Sequence, residues 1–462
     1  MLRYPSCETY LTLPKVLERY GRRTAAAAVI AAIALSAPAQ ATVTQTSDNR
    51  SNSGQAGSRL PYGLSVADTA VFSGRGDLAF VSRGQLLVLD GATGKIRDLG
   101  TEHVGDYTAP KFSPYGRWVA YNLGRGSEWV ARADGTGARE VAHQGTPEWL
   151  PNGLLVAGKE LVSLSPKGSL RNAGSAAGLV AWAPDGKEYV FLQTGPTVTK
   201  GSTSETPWRL EVASSPGGPR TTWYRTTISV DKSGTHGNYI TRAFALPGKQ
   251  GLLVEVDRDD ADDADGQPIY EIRSPGAPLV QLGYMLAPTA GGVVTFGPGA
   301  TFALGAGPDR YAWMTKSALI CQAATERCRA LPTTRGTLTL DPAWSPNGKA
   351  LAFVEAPSSN AGSFYPSQVI AWYATHHLFL LKGNYSAIAE IPGTKGASAP
   401  VWSLDSKSLL YVSGDGLWLL PGLDKTPVEI AAPLFEPPWP SYYGQVDWPD
   451  QFAWSAGVAR QM

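Results

Sequence analysis

The sequence predicts an all-β protein, a β-propeller of four-stranded blades, with eight candidate blades and seven as the alternative. Three observations predict it. One phrase recurs in outline along the 462 residues: an aromatic residue, a turn built on Pro, Asp, Asn or Gly, then an alternating apolar run. It reads WSPNGKALAFV at 344–354, WSLDSKSLLYV at 402–412, WAPDGKEYVFL at 182–192 and FSPYGRWVAY at 112–121. Composition agrees: 51 Gly, 35 Pro, 14 Trp and 19 Tyr stand beside only 17% charged residues, below the usual quarter. No stretch after the N-terminal apolar run keeps a helical period.

The N-terminal elements come first. GRRTAAAAVIAAIALSAPAQA has a basic pair (Arg22, Arg23), an apolar run from Ala25 to about Leu35, and Ala39-Gln40-Ala41 as a small-x-small cleavage site. Residues 1–41 are therefore expected to be a cleaved secretory signal, with a periplasmic or secreted protein as the consequence. The run is too short to span a bilayer comfortably. The twin Arg raises the Tat route, although its flanks fit that signal poorly. The long stretch before Gly21 leaves room for a start further downstream. Residues 42–60, polar and poor in apolar side chains, read as a flexible leader. No later segment is long and apolar enough to span a membrane. The formal net charge of +1 offers no broad electrostatic reason to bind nucleic acid or an anionic membrane.

Residues 61–457 are expected to form the propeller. Besides the four strong copies, weaker ones start at Phe72, Trp149, Phe244 and Phe296, so starts fall 33 to 62 residues apart. That range brackets one blade plus variable loops. In each unit the residues before the aromatic form strand a. Pro then sets φ, and Gly supplies φ > 0 in the a–b turn. The alternating run is strand b, as in Ala350–Val354. In the first unit LLVLD (86–90) is strand c, GATG (91–94) a turn and IRDLG (96–100) strand d. One such sheet cannot bury both faces, and radial stacking solves that. The aromatic and the Asp or Asn of each copy thus read as architecture, an inter-blade wedge and a turn acceptor.

The aromatic-Ser-Pro-Asp/Asn-Gly-Lys outline resembles the PD40-type (WD40-like) repeat of the TolB-like propeller family. The resemblance covers about residues 60 to 457. The tail QFAWSAG (451–457) is similar to that family's closing segment, where a last aromatic-Ser strand completes the ring. TolB carries an α/β domain before its propeller and six blades. Here a short polar leader precedes the first unit and eight copies are counted, so TolB's own role is not carried over.

Cys321 and Cys328 flank a polar loop between two short apolar arms, ALICQAATERCRAL. A hairpin disulfide is expected in an oxidising compartment. The alternative, a metal or redox pair, lacks the C-x-x-C form. The acidic loop at 257–265 holds hard oxygen ligands. Asp259, Asp260, Asp263 and Asp265 are its candidate calcium ligands, against the reading of a solvated hairpin tip. An EF-hand register ending at Gly266 fails because Ala261 takes the first ligand position. Otherwise no metal or cofactor is expected.

Catalytic motifs are scarce. AWSAG (453–457) lacks the first Gly of a nucleophile elbow. Prolyl-oligopeptidase-type enzymes, which the resemblance touches, add an α/β-hydrolase domain for which this tail leaves no room. The five His form neither H-x-H nor H-E-x-x-H. SVDKSGTH (229–236) approaches a sialidase Asp-box but displaces its Gly and lacks its Trp, and reads as chance. The aromatic- and Pro-rich run 434–457 is either a platform for sugar or peptide or a strap that latches the ring; the strap is favoured.

Function is sought where the copies differ. The b–c links are short at 82–84 and 414–416 but long at 194–207, 257–268 and 356–368. Insertions on one face of a repeat array often mark a binding face. The expectation is a non-catalytic module that binds a protein or peptide partner in the cell envelope. The rival is a propeller enzyme, a polysaccharide lyase or hydrolase with its site at the central channel mouth, where a His-carboxylate or metal-like cluster would be found.

Overall fold

The computed structural model describes residues 64–66, 69–99, 107–124, 126–143, 145–257, 267–285, 293–299, 301–305, 317–323, 327–358, 366–382, 387–434 and 451–455. The expected signal and leader, to residue 60, lie outside them. So do the candidate ligands Asp259, Asp260, Asp263 and Asp265, and most of the strap.

Eight antiparallel sheets follow one another along the chain, one for each copy of the phrase, so the count is eight and not seven. Strand a opens blades 2 to 8 as Tyr107–Phe112, Glu148–Trp149, Leu179–Trp182, Tyr239–Ala245, Val293–Phe296, Thr337–Trp344 and Ala397–Trp402. Blade 1 departs from the expectation. The residues before Phe72 form a 3-10 turn, Thr69–Phe72, and strand a is supplied by Phe452–Trp454 from the C-terminus. That strand pairs with Leu78–Ser82 in the register Leu78 to Trp454 and Phe80 to Phe452. The tail thus closes the ring as expected. At the other end of the chain Ser65–Val66 pairs with Ala432 and Ala431 and adds a fifth strand to blade 8.

Two further expectations are corrected. Loop 194–207 is not a plain loop: Val198–Lys200 pairs with the start of Thr203–Ala213, which runs eleven residues. Thr194–Trp208 and Thr226–Tyr239 form a compact unit of their own. Link 356–368 leads into an α-helix, Pro366–Tyr373, too short to have shown a sustained helical period in the sequence. The short links are hairpin turns as expected, with Ser82 opposite Gln85 around Arg83 and Gly84, both at positive φ.

The repeated phrase builds the turns by local chemistry. The Ser345, Ala183 and Ser113 carbonyls accept from the Gly348, Gly186 and Gly116 amides at 2.8, 2.9 and 2.8 Å. Asn347 and Asp405 Oδ1 accept from the amides two residues on, at 2.9 and 3.1 Å. The aromatic reaches back to the preceding blade. Trp149 Nε1 donates to the Lys111 carbonyl at 3.1 Å, and Trp402 Nε1 to the Ala343 carbonyl at 2.9 Å. The buried clusters lie between blades: Phe72, Phe80 and Leu89 of blade 1 meet Leu410, Leu417 and Ile430 of blade 8. Each buried Leu or Phe stabilises by about 1.5–3 kcal/mol, and here the stabilisation belongs to an interface, not to one blade.

Cys321 and Cys328 face each other across the c–d hairpin of blade 6 and form the expected disulfide. Among the described residues no helix is long and apolar enough to cross a membrane.

Candidate functional site

Strand a of blade 7 lies against strand a of blade 8. Both carry a bulge, after Leu340 and after Ser398. At each bulge one residue sits at positive φ: Asp341 at 47° and Ala399 at 49°. Blade 2 repeats this at Ala109, 53°. In all three the residue is followed by Pro and stands three before the phrase's aromatic: APKF, DPAW, APVW. A residue before Pro ordinarily stays extended, so the left-handed backbone is strained by roughly 1–3 kcal/mol and held by its surroundings.

Only blade 7 places an ionisable side chain in that strained position. Asp341 Oδ2 accepts from the Ala399 amide at 2.9 Å, tying blade 7 to blade 8. The carboxyl is buried. Desolvation disfavours its anion and pushes its pKa up to about 7, and the Ala399 bond only partly opposes this.

The next residue back, Ser398, meets His376. Its hydroxyl lies 3.4 Å from His376 Nδ1. His376 follows the helix Pro366–Tyr373 directly, and its amide donates to the Tyr373 carbonyl at 3.1 Å. Its carbonyl accepts from Gly396 at 2.7 Å. The Trp372 ring stands edge-on at 4.3 Å, and its Nε1 donates to the Pro357 carbonyl at 3.1 Å. Tyr373 lies at 5.2 Å. His376 is 0% exposed, and burial lowers its pKa to about 3; the neighbouring His377 adds to this, and a bond to the Ala397 backbone opposes it. The ring is neutral at physiological pH. Nε2 is buried without a hydrogen-bond partner among the described residues. Such an atom costs about 1–3 kcal/mol, which marks it for explanation.

Several other buried carboxylates are engaged by hydroxyls and backbone amides of nearby segments. Glu255 and Glu355 both stand eleven residues after their aromatic. Glu255 Oε1 accepts from Thr241 Oγ1 at 2.9 Å, and Glu355 Oε1 from the Thr334 amide at 2.7 Å. Ser413, at the same place in blade 8, donates to the Lys395 carbonyl at 2.9 Å. Glu128 accepts from the Gly158 amide at 3.1 Å. These close the start of the adjoining strand a or the neighbouring blade.

The Asp-box-like stretch 229–236 folds as a hairpin whose half-buried Asp231 takes bonds from the Ser233 amide and hydroxyl at 2.7 and 2.6 Å. The Ser233 hydroxyl and amide, joined by His236, hold its carboxyl down to about 2. It ties its own turn.

Sequence reasoning missed Asp341 and His376. The signal for the first was present, in the x-Pro-x-aromatic tetrapeptide ahead of the quoted phrase. Nothing marked His376, which is polar by residue type and becomes a core residue only through packing. Among the described residues no group of three or more His, Cys, Asp or Glu is placed to hold a metal ion. Asp341 and His376 do not make such a set, and no metal step is derived.

No known family description matches the chain, and no curated protein matches it. Solved structures match it at low similarity. An oligogalacturonate lyase in complex with manganese matches at 13% identity and TM-score 0.36, over 77% of this chain and 84% of that one. An oligogalacturonate lyase from Vibrio parahaemolyticus matches at 10% and 0.37, over 76% and 84%. The hydrazine synthase of Kuenenia stuttgartiensis matches at 14% and 0.34, over 68% and 76%. No residue or substrate is carried over at these scores. The expectation of a non-catalytic protein- or peptide-binding module is corrected in favour of its rival: the similar chains include oligogalacturonate lyases.

Proposed function

We propose that this chain is a propeller enzyme acting on a polysaccharide by acid–base chemistry, as a lyase or hydrolase, with Asp341 and His376 as its proton-handling pair. The observation that carries this is their placement. A carboxyl raised to about 7 and a neutral imidazole are brought to consecutive residues of one strand, Ala399 and Ser398. A carboxyl raised to the operating pH is what a general acid at neutral pH requires, and a neutral imidazole nearby is free to take the other proton.

In this reading Asp341, about half protonated near pH 7, gives its proton to the departing glycosidic oxygen. The bare Nε2 of His376 accepts a proton, from the sugar in an elimination or from water in a hydrolysis. Ser398 and Trp372 keep the ring oriented. The repeat outline and the closing strand support a TolB-like, PD40-type architecture, and the N-terminal segment with the disulfide supports export.

The test is turnover of a panel of neutral and uronate polysaccharides, following unsaturated products by ultraviolet absorbance and new reducing ends in parallel. Asp341→Asn, isosteric and still able to meet the Ala399 amide, is expected to lose at least about 100-fold in kcat while keeping its fold. Equal turnover by wild type and Asp341→Asn would overturn the reading. So would no turnover anywhere on the panel.

A further inference from the structure

The a–b turn of blade 2 lacks an acceptor that four other copies share. Blades 3, 4, 7 and 8 place Asn152, Asp185, Asn347 and Asp405 at its third position. Each accepts from the amide two residues on, at 3.1, 3.1, 2.9 and 3.1 Å. Blade 2 has Tyr115 there. The turn gives up that bond and presents a ring that is 62% exposed. One edge of the ring lies over Gly153 of the next turn, where an added Cβ would come within 3.7 Å.

The surrounding turns are basic. The a–b and c–d turns of blades 2 and 3 carry Arg117, Arg132, Arg139 and Lys167 against one carboxylate, Asp134. Arg132 lies over the Trp118 ring at 5.1 Å and donates to the Pro166 carbonyl. Arg139 donates to the Gly168 carbonyl. Both guanidiniums are thus held by neutral oxygens, and Arg132 shares its charge with the nearby Asp134. Arg117 follows Tyr115 by two residues, is exposed, and its carbonyl accepts from Ala133 at 3.1 Å, joining the two turns. Arg117 and Lys167 have no ion-pair partner among the described residues. Asp134 turns its oxygen into its own turn, accepting from the Thr136 amide and hydroxyl at 2.9 and 2.6 Å.

We infer that this face of blades 2 and 3 is a binding site for a carboxylated polysaccharide, with the Tyr115 ring stacking on a sugar face and Arg117, Arg132 and Lys167 meeting its carboxylates. An exposed ring gives the flat apolar surface that a pyranose face covers, and guanidinium matches carboxylate geometry. A turn that gives up its Asx bond for an exposed ring is a place where function is expected to have displaced stability. The site is separate from Asp341 and does not depend on turnover.

The experiment uses the full mature chain and affinity electrophoresis with isothermal titration. The probes are a linear polyuronate, the same polymer fully methyl-esterified, and a single-stranded oligonucleotide of equal charge. Tyr115→Asn installs the Asx acceptor of blades 3, 4, 7 and 8, so it is expected to fold at least as well as wild type. It should weaken polyuronate binding about 5- to 20-fold. Arg117→Gln should weaken it further at low salt and flatten its salt dependence. Esterification should abolish binding, and Asp341→Asn should bind as wild type does, which separates this site from the proposed catalytic pair. Unchanged binding by Tyr115→Asn, equal binding of the esterified polymer, or tighter binding of the oligonucleotide would each overturn the inference.

Discussion

Asp341 and His376 make opposite demands on pH. A carboxyl whose folded pKa is raised to about 7 binds its proton in the folded state where the unfolded chain has already lost it. Its contribution to stability therefore falls as pH rises from about 4 to 7. A histidine lowered to about 3 resists protonation when folded, so its contribution falls as pH drops from about 6.5 towards 3. The two slopes oppose each other between about 4 and 6.5. Asp341→Asn should leave a stability that rises with pH across that window. His376→Gln should leave one that falls. Urea unfolding at half-unit pH steps measures both, and parallel profiles in the two variants would refute the assignment. At the same scale Gly348→Ala is expected to cost on the order of 1–3 kcal/mol. Its φ is +67°, and an added Cβ would stand 2.9 Å from the Pro298 ring of the preceding blade. Thermal unfolding checks this.

The elements draw on different ranges of the chain. The c–d hairpin of blade 6 is closed by Cys321–Cys328 across seven positions of sequence, a short loop. Replacing both by Ser is expected to cost about 2–3 kcal/mol by loop-closure entropy alone. Cys321 is also buried among Phe302, Leu304 and Leu253, so the loss should appear at the interface of blades 5 and 6. Amide exchange that rises first in strands Leu252–Asp257 and Thr301–Gly305 would show it. The turn elements were legible in the sequence because their causes are local: a Pro, an Asx acceptor and a Gly within five residues. The helix Pro366–Tyr373 was not, since two turns of helix carry too little periodicity and its Trp372 is held by Pro357, fifteen residues away.

At the scale of the molecule, closure rests on five residues. Gln451 accepts from the Val81 amide at 2.7 Å, Ser455 donates to the Asp77 carbonyl at 2.7 Å, and the Trp454 ring lies 5.6 Å from Phe72. A chain ending at Asp450 is expected to lose on the order of 5 kcal/mol through the exposed aromatic faces and the unmade ladder. Because the cores lie between blades, it should unfold in more than one step. A chain ending at Gly457 should unfold as the full protein does. Denaturant titration followed by tryptophan fluorescence and far-ultraviolet dichroism distinguishes these outcomes.

The sequence by itself determined the repeat, the turn chemistry and the hairpin that carries the disulfide, and it narrowed the blades to eight or seven. Each of these is written in residues close together, or in a pattern that repeats. Only the tertiary structure decided where ionisable groups would be driven from water. Asp341 and Ala399 are fifty-eight residues apart, and His376 and Ser398 twenty-two. Their ionisation follows from burial between two blades, and burial at an interface is a property of the closed ring.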